Sequence, residues 1–191
     1  MKKIKIIETG IKDLLVIEPK LFNDKRGYFF ESYNKKDFEE AGLHYDFVQD
    51  NQSKSSKGVL RGLHFQIDHP QSKLVRVLEG DVFDVAVDLR RESPTYGKWF
   101  GTVLSAENNK QLLIPRGFAH GFLVLSDTAV FCYKCDDFYY PGDEGGIIWN
   151  DPDICISWPL NGDPILSEKD LAHPRLKNMY GVGEVCPRRF L

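Results

Sequence analysis

Apolar and polar residues along this chain alternate mostly with the period of a strand. Ile4–Ile7 and Leu14–Ile17 predict two short strands joined by a turn at Thr9-Gly10. Asp24-Lys25-Arg26-Gly27 reads as a turn, with a strand predicted over Tyr28–Tyr33. Asn34-Lys35-Lys36-Asp37 opens a short helix with a capping pattern, and Gly42 is placed to end it. Asp50–Gly58 holds three Ser and two Lys and predicts a loop. From Val59 to about Trp149 strands dominate. Val59–Gln66 is one of them. Lys73–Glu79 and Asp81–Asp88 form a hairpin about Gly80-Asp81. Further turns are signalled at Arg91–Pro94, Ala106–Asn109 and Pro141–Asp143. Ser167-Glu168-Lys169-Asp170 starts a second short helix, limited by Pro174. Many short strands at close spacing predict an all-β sandwich or barrel with small helical pieces near each end.

The 191 residues suffice for one domain with a full core. The expected division is N-terminal strands and helix over about 1–50, a core barrel over 51–150 and a C-terminal segment over 151–191. A net charge of -3 argues against a general nucleic-acid binder. No apolar run reaches the ~18 residues of a membrane span. Lys2, Lys3 and Lys5 mimic the start of a signal peptide, but Glu8, Lys12 and Asp13 interrupt the apolar run that would follow, so a cytoplasmic location is expected.

Cysteines stand at 132, 135, 155 and 186. Cys132-Tyr133-Lys134-Cys135 has the spacing of zinc and redox pairs, but no second pair accompanies it. Residues three apart on a strand face opposite sides, so all four are expected to be packing thiols in a reducing compartment.

Arg61, His64, Gln66 and Lys73 place ionisable and polar groups on strands, which requires either water or a cavity where chemistry happens. Gly62–Gln66 with Lys73 and Gly80, followed by Pro115-Arg116-Gly117-Phe118-Ala119-His120-Gly121, resembles the two motifs of the cupin jelly roll. Metal-binding cupins carry a second His and a Glu where this chain has Gln66 and Lys73. An ammonium in place of a carboxylate opposes a cation, and His64 with His120 alone are too few ligands, so no metal is expected.

Three longer blocks make the resemblance specific: Val59–Gln66, Asp84–Arg90 and Ile114–Phe122. Together they resemble the dTDP-4-dehydrorhamnose 3,5-epimerases, over a span from Ile17-Glu18-Pro19 to Ser167–Asp170. The resemblance implies a cupin-type jelly roll without a cofactor, acting on a nucleotide-linked 4-keto-6-deoxy sugar as a homodimer with exchanged N-terminal strands. It implies His64 as base, Tyr133 as acid, Lys73 as stabiliser of the enolate oxygen and Asp170 as the group orienting His64. It further implies that Arg26, Glu31, Gln49, Asn51, Arg61, His120, Tyr139, Glu144 and Lys169 contact substrate, with Tyr139 stacked on the thymine. Removing a proton beside the C4 ketone and returning one from the opposite face needs these residue types.

Each has a plainer alternative. His64 alone on a strand is more often structural, and Tyr133 would pass for a half-buried strand tyrosine. Tyr139 would pass for loop packing; Arg26, Glu144 and Lys169 for solvated charges. Ser167 and Asp170 also form a helix cap, and one Asp side chain is not expected to fill both roles easily. His44, His69 and His173 match nothing and are expected on the surface. In a regular strand Arg61 and His64 face opposite ways, so a shared site requires a bulge or bend near Gly62; otherwise Arg61 serves the partner subunit. Competing functions are a C3-only or C5-only epimerase, a sugar-binding cupin without catalysis, and a metal cupin oxygenase or isomerase.

Overall fold

The computed structural model describes residues 3–179. In chain order the strands are β1 (Ile4–Glu8), β2 (Leu15–Pro19), β3 (Phe22–Asp24), β4 (Gly27–Phe29), β5 (Gln49–Ser56), β6 (Leu60–Gln66), β7 (Lys73–Glu79), β8 (Asp81–Asp88), β9 (Trp99–Ser105), β10 (Gln111–Ile114), β11 (Phe118–Val124), β12 (Thr128–Cys135) and β13 (Glu144–Gly146). Helix α1 spans Lys35–Glu40, α2 spans Glu168–Leu171, and a 3-10 turn covers Leu176–Asn178. One sheet has the order β1-β2-β10-β7-β12-β5, the other β13-β6-β11-β8-β9, and β3-β4 stands apart as a small hairpin. All ladders between named strands are antiparallel. This is the cupin-like jelly roll, mostly strand, as expected.

Three apolar clusters explain why several strands read as unbroken apolar runs. Between the sheets lie Val75, Val77, Val82, Ala86, Phe122 and Phe131. The outer face of the five-stranded sheet is covered by Ile147, Ile154 and Trp158 against Leu63, Phe65, Val85 and Val87. The six-stranded sheet buries Ile17, Leu74 and Leu113 beneath Phe38 of α1. Burying that one Phe contributes ~1.5–3 kcal/mol. Asn34 caps α1 by accepting from the amides of Lys36 and Asp37, and Gly42 follows with φ of 83°. Both strands at the first hairpin and both short helices lie where the pattern placed them.

Three expectations change. β7 and β8 do not form a hairpin about Gly80: the chain crosses there from the six-stranded sheet, where β7 pairs with β10 and β12, to the five-stranded sheet, where β8 pairs with β11 and β9. Residues 50–58 are not a loop: β5 pairs with β12 from Gln49↔Cys135 to Ser56↔Thr128. Its pattern is polar on both faces, because one face looks to solvent and the other into a polar cavity. The strand expected over 28–33 ends at Phe29. Among the described residues no helix is long and apolar enough to cross a membrane.

Candidate active site

The site lies between the sheets, at the end of the barrel that the apolar cluster leaves unfilled. The β12–β7 register sets Tyr133 beside Val75 and Cys135 beside Lys73; the β12–β5 register sets Tyr133 beside Asn51 and Cys135 beside Gln49. Strand alternation therefore projects Lys73, Tyr133, Gln49 and Asn51 from one sheet into the cavity. From the facing sheet come His64 and His120, directly paired across β6 and β11, and Asp84 of β8.

A bulge settles how Arg61 and His64 share a face. His120 pairs with His64 but Phe122 pairs with Arg61, so β6 carries one residue more than β11 over this stretch. Gly62 sits at the irregularity with φ of 121°, and a Cβ there would lie 2.6 Å from the Gly121 Cα. Only glycine fits both the dihedral and the close approach. Arg61, itself exposed, reaches across to β5, donating from Nε to the Ser55 hydroxyl at 3.1 Å. Its charge is felt by Tyr133 of the same chain.

His64 Nε2 lies 2.5 Å from Asp170 Oδ1. Burial would raise the Asp170 pKa, but hydrogen bonds from His64 and Ser167 outweigh it and hold this carboxyl below its ordinary value. An ionised Asp170 only accepts, so Nε2 carries the proton and Nδ1 is left with a lone pair. The expected conflict between capping and orienting does not arise. Ser167 donates to Asp170 Oδ2 at 2.8 Å and accepts from the Asp170 amide, while Oδ1 remains for His64. One oxygen serves each role.

His120 Nε2 lies 3.1 and 2.9 Å from the two oxygens of Asp84. Burial pushes Asp84 up, opposed by His120 and Lys73. Lys73 is lowered by burial, opposed by Cys135, Asp84 and Glu144, and its Nζ stands 5.8 Å from the Tyr133 ring centroid. Burial pushes the Tyr133 phenol up to about 12, so it holds its proton.

At the mouth, Tyr139 donates from its hydroxyl to Glu144 at 3.0 Å, and Lys169 pairs with the same carboxylate. Gln49 accepts from the Tyr139 amide at 2.9 Å and donates to Asn51. Thus Gln49, Asn51, Tyr139, Glu144 and Lys169 form one linked rim. Arg26 and Glu31 are not brought to it. Arg26 pairs with Asp24 on the exposed β3–β4 hairpin, and Glu31 with Lys3 and Asn34.

Some features escaped the sequence reading. Gln66, identified only as a missing metal ligand, is buried and donates to the carbonyls of His69 (2.7 Å) and Phe138 (3.1 Å) while accepting from the Tyr140 amide (2.8 Å). It fastens the loop that bears Tyr139. Asp84, the partner of His120, was signalled by an acid at an inward position of an apolar strand. His173 is not a surface residue. Its side chain is 10% exposed, packed edge-on to His64 at 5.5 Å between centroids. Burial and the neighbouring His64 lower its pKa. The available signal was its spacing of three from Asp170. His44 and His69 are exposed as expected, the latter stacked on Tyr140.

The thiols of Cys132, Cys135 and Cys155 are free. Cys135 is buried, accepts from Asn51 and is pushed up to about 11 by burial. Cys155 is exposed, against the expectation of packing, on a residue with φ of 59°. Cys186 lies outside the described residues.

Fold and site together define a cupin-type jelly roll that carries the histidine of a His–Asp pair on one sheet and a protonated tyrosine on the other. A family model described as dTDP-4-dehydrorhamnose 3,5-epimerase matches residues 8–178, and the chain belongs to that family. The dTDP-4-dehydrorhamnose 3,5-epimerase of Salmonella typhimurium is 58% identical over 173 residues, 90% of this chain and 94% of that protein. The crystal structure of the dTDP-6-deoxy-D-glucose-3,5-epimerase of Legionella pneumophila in complex with dTDP-4-keto-L-rhamnose matches with a TM-score of 0.89 at 53% identity, covering 92% of this chain and 94% of that one. A 3'-monoepimerase from Streptomyces bikiniensis in complex with dTDP-quinovose matches with a TM-score of 0.82 at 34% identity, covering 88% and 86%.

Proposed function

We propose that this chain inverts C3 and C5 of dTDP-4-dehydro-6-deoxy-D-glucose to give dTDP-4-dehydro-beta-L-rhamnose, a step toward dTDP-L-rhamnose and surface polysaccharide. His64 Nδ1 takes the proton beside the C4 ketone. Asp170 holds the opposite nitrogen and stabilises the imidazolium that forms. Lys73, with His120 braced by Asp84, stabilises the enolate oxygen. Tyr133 returns a proton from the other side, and the two ring carbons are treated in turn. No electrons are transferred overall. The observation that carries this reading is that base and acid project from opposite sheets, so a flat enolate between them is addressed on both faces.

Tyr139 offers a π-face to the thymine, while Arg61 and Lys169 suit the diphosphate. Arg26 and Glu31 serve the site of a second copy in a homodimer with exchanged N-terminal strands. This is supported by the hairpin that carries Arg26, where Phe22, Tyr28 and Phe29 are left 46%, 55% and 67% exposed. The free thiols suit a cytoplasmic setting.

The test is proton exchange in D₂O with dTDP-4-dehydro-6-deoxyglucose, followed by NMR. Deuterium at C3 and C5, with an L-configured product trapped by a reductase, is the expected result. Exchange at one carbon only would assign the single epimerisation of the structurally similar monoepimerase instead. No exchange with saturable binding would refute catalysis on this sugar.

A further inference from the structure

The His64–Asp170 pair has a third neighbour for which the epimerase chemistry has no use. His173 follows α2, and the adjoining backbone is tied down where Ile148 donates to the Pro174 carbonyl at 2.9 Å. Its ring lies against Gly146, the residue paired with His64 across β13 and β6; a Cβ on Gly146 would come within 2.2 Å of that ring. The side chain is nine-tenths buried, and among the described residues its Nε2 has no hydrogen-bond partner. That nitrogen points at Asp170 Oδ1 from 3.7 Å, too far for a hydrogen bond. His64 Nε2, Asp170 Oδ1 and His173 Nε2 all lie within 4.8 Å of one another.

We propose that these three atoms form a Zn²⁺ site that switches the enzyme off. Two imidazoles and a carboxylate with a fourth position open to water are the donor set of many three-ligand zinc sites. Calcium and magnesium, which prefer a shell of oxygens, are excluded by the two nitrogens. A tetrahedral ion with Zn–N bonds of ~2.0–2.1 Å sets its donors about 3.3 Å apart. His64 and Asp170 open slightly to admit it, and His173 closes in.

The inhibition follows from the tautomer and rests on the proposed role of His64 as base. In the active state Nε2 carries the proton and donates to Asp170, leaving the Nδ1 lone pair free. A metal on Nε2 takes that nitrogen's lone pair, and the neutral ring then carries its proton on Nδ1. The base is occupied from behind, without the ion touching substrate.

The experiment titrates chelator-treated full-length chain with Zn²⁺ against a chromophoric chelator, beside His173→Phe and His173→Asn. The expected result is one zinc per wild-type chain, weakened at least about tenfold in both variants. Turnover in chelated buffer persists in the variants, and Zn²⁺ inhibits the wild type only. Equal zinc affinity in wild type and variants, or no zinc bound by the wild type, overturns the site. Should neither variant fold, the imidazole ¹⁵N resonances of the wild type decide: zinc must move Nε2 of His64 and His173 together, and movement of other histidines instead overturns the site. His173-dependent binding without inhibition upholds the site and refutes Nδ1 of His64 as base. Absence of binding leaves that base assignment untouched.

Discussion

Replacing Gln66 by Leu tests whether this buried amide sets the affinity of the proposed nucleotide pocket. The swap keeps the volume close and removes three hydrogen bonds, to the His69 and Phe138 carbonyls and from the Tyr140 amide. Each such bond contributes ~0.5–1.5 kcal/mol net. The sum, ~1.5–4.5 kcal/mol, falls toward about 2 because water reaches the backbone near His69 and Tyr140, both exposed. For a domain of this size that loss lowers Tm by about 4–8 °C. The freed segment carries Tyr139, so KM for the dTDP-sugar is expected to rise about tenfold. Because the Gln66 amide bonds to the loop and not to His64, kcat should stay within about threefold. Thermal unfolding followed by circular dichroism and a reductase-coupled steady-state assay measure the two effects. A Tm within 1–2 °C of wild type together with an unchanged KM would refute the view that Gln66 fastens this loop.

His64→Ala and Tyr133→Phe should each reduce turnover ~10²–10⁴-fold while dTDP still binds by calorimetry; wild-type turnover in either rejects its role. Asp170→Asn should lower kcat by a similar factor, since a neutral amide no longer holds the Nε2 proton. The folded-state pKa of Asp170 is depressed, so its stabilising contribution is present above the unfolded carboxyl pKa and lost as pH falls through the folded one. The stability gap between wild type and Asp170→Asn, measured in urea, should therefore shrink toward acid; a gap that widens contradicts the sign. Lys73 is lowered by burial whereas Tyr133 is held near 12, so the alkaline limb of kcat/KM should fall below 10.5 and disappear in Lys73→Arg. A limb that persists there belongs to another group. Gly62→Ala drives a Cβ to 2.6 Å from Gly121 and should lower Tm and activity together, read in one melting and one rate experiment.

Strand positions were legible in the sequence wherever one face met apolar core, as in β7, β8 and β12, because burial imposes a visible alternation. β5 was not, since Gln49, Asn51, Ser53 and Ser55 line a cavity and their polarity hides the same period. The residues that touch across strands emerged only with the register. Arg61 illustrates this: its type announces a charge, but the extra residue in β6 decides the face. Asp170 shows the converse, because its cap was readable locally and its contact with His64 lies 106 residues away. His173 was passed over because its one local mark is the spacing of three from Asp170, and its other neighbours come from β6 and β13.

Mounting the proposed base on one sheet and the proposed acid on the other makes the separation of the sheets a gauge. Packed sheets stand ~10 Å apart, which an inward-reaching histidine and tyrosine together would fill, so the room for a sugar ring is the slot by which the sheets stand wider apart at this end. A planar enolate fits that slot in either half of the reaction, while a ring bearing a bulky axial group does not. The apolar residues at the closed end, where Phe122 and Phe131 stack at 4.2 Å, then act as the spacer that holds the slot open to that width. Enlarging or trimming that stack, far from any reacting atom, becomes a way to change which sugars the barrel admits.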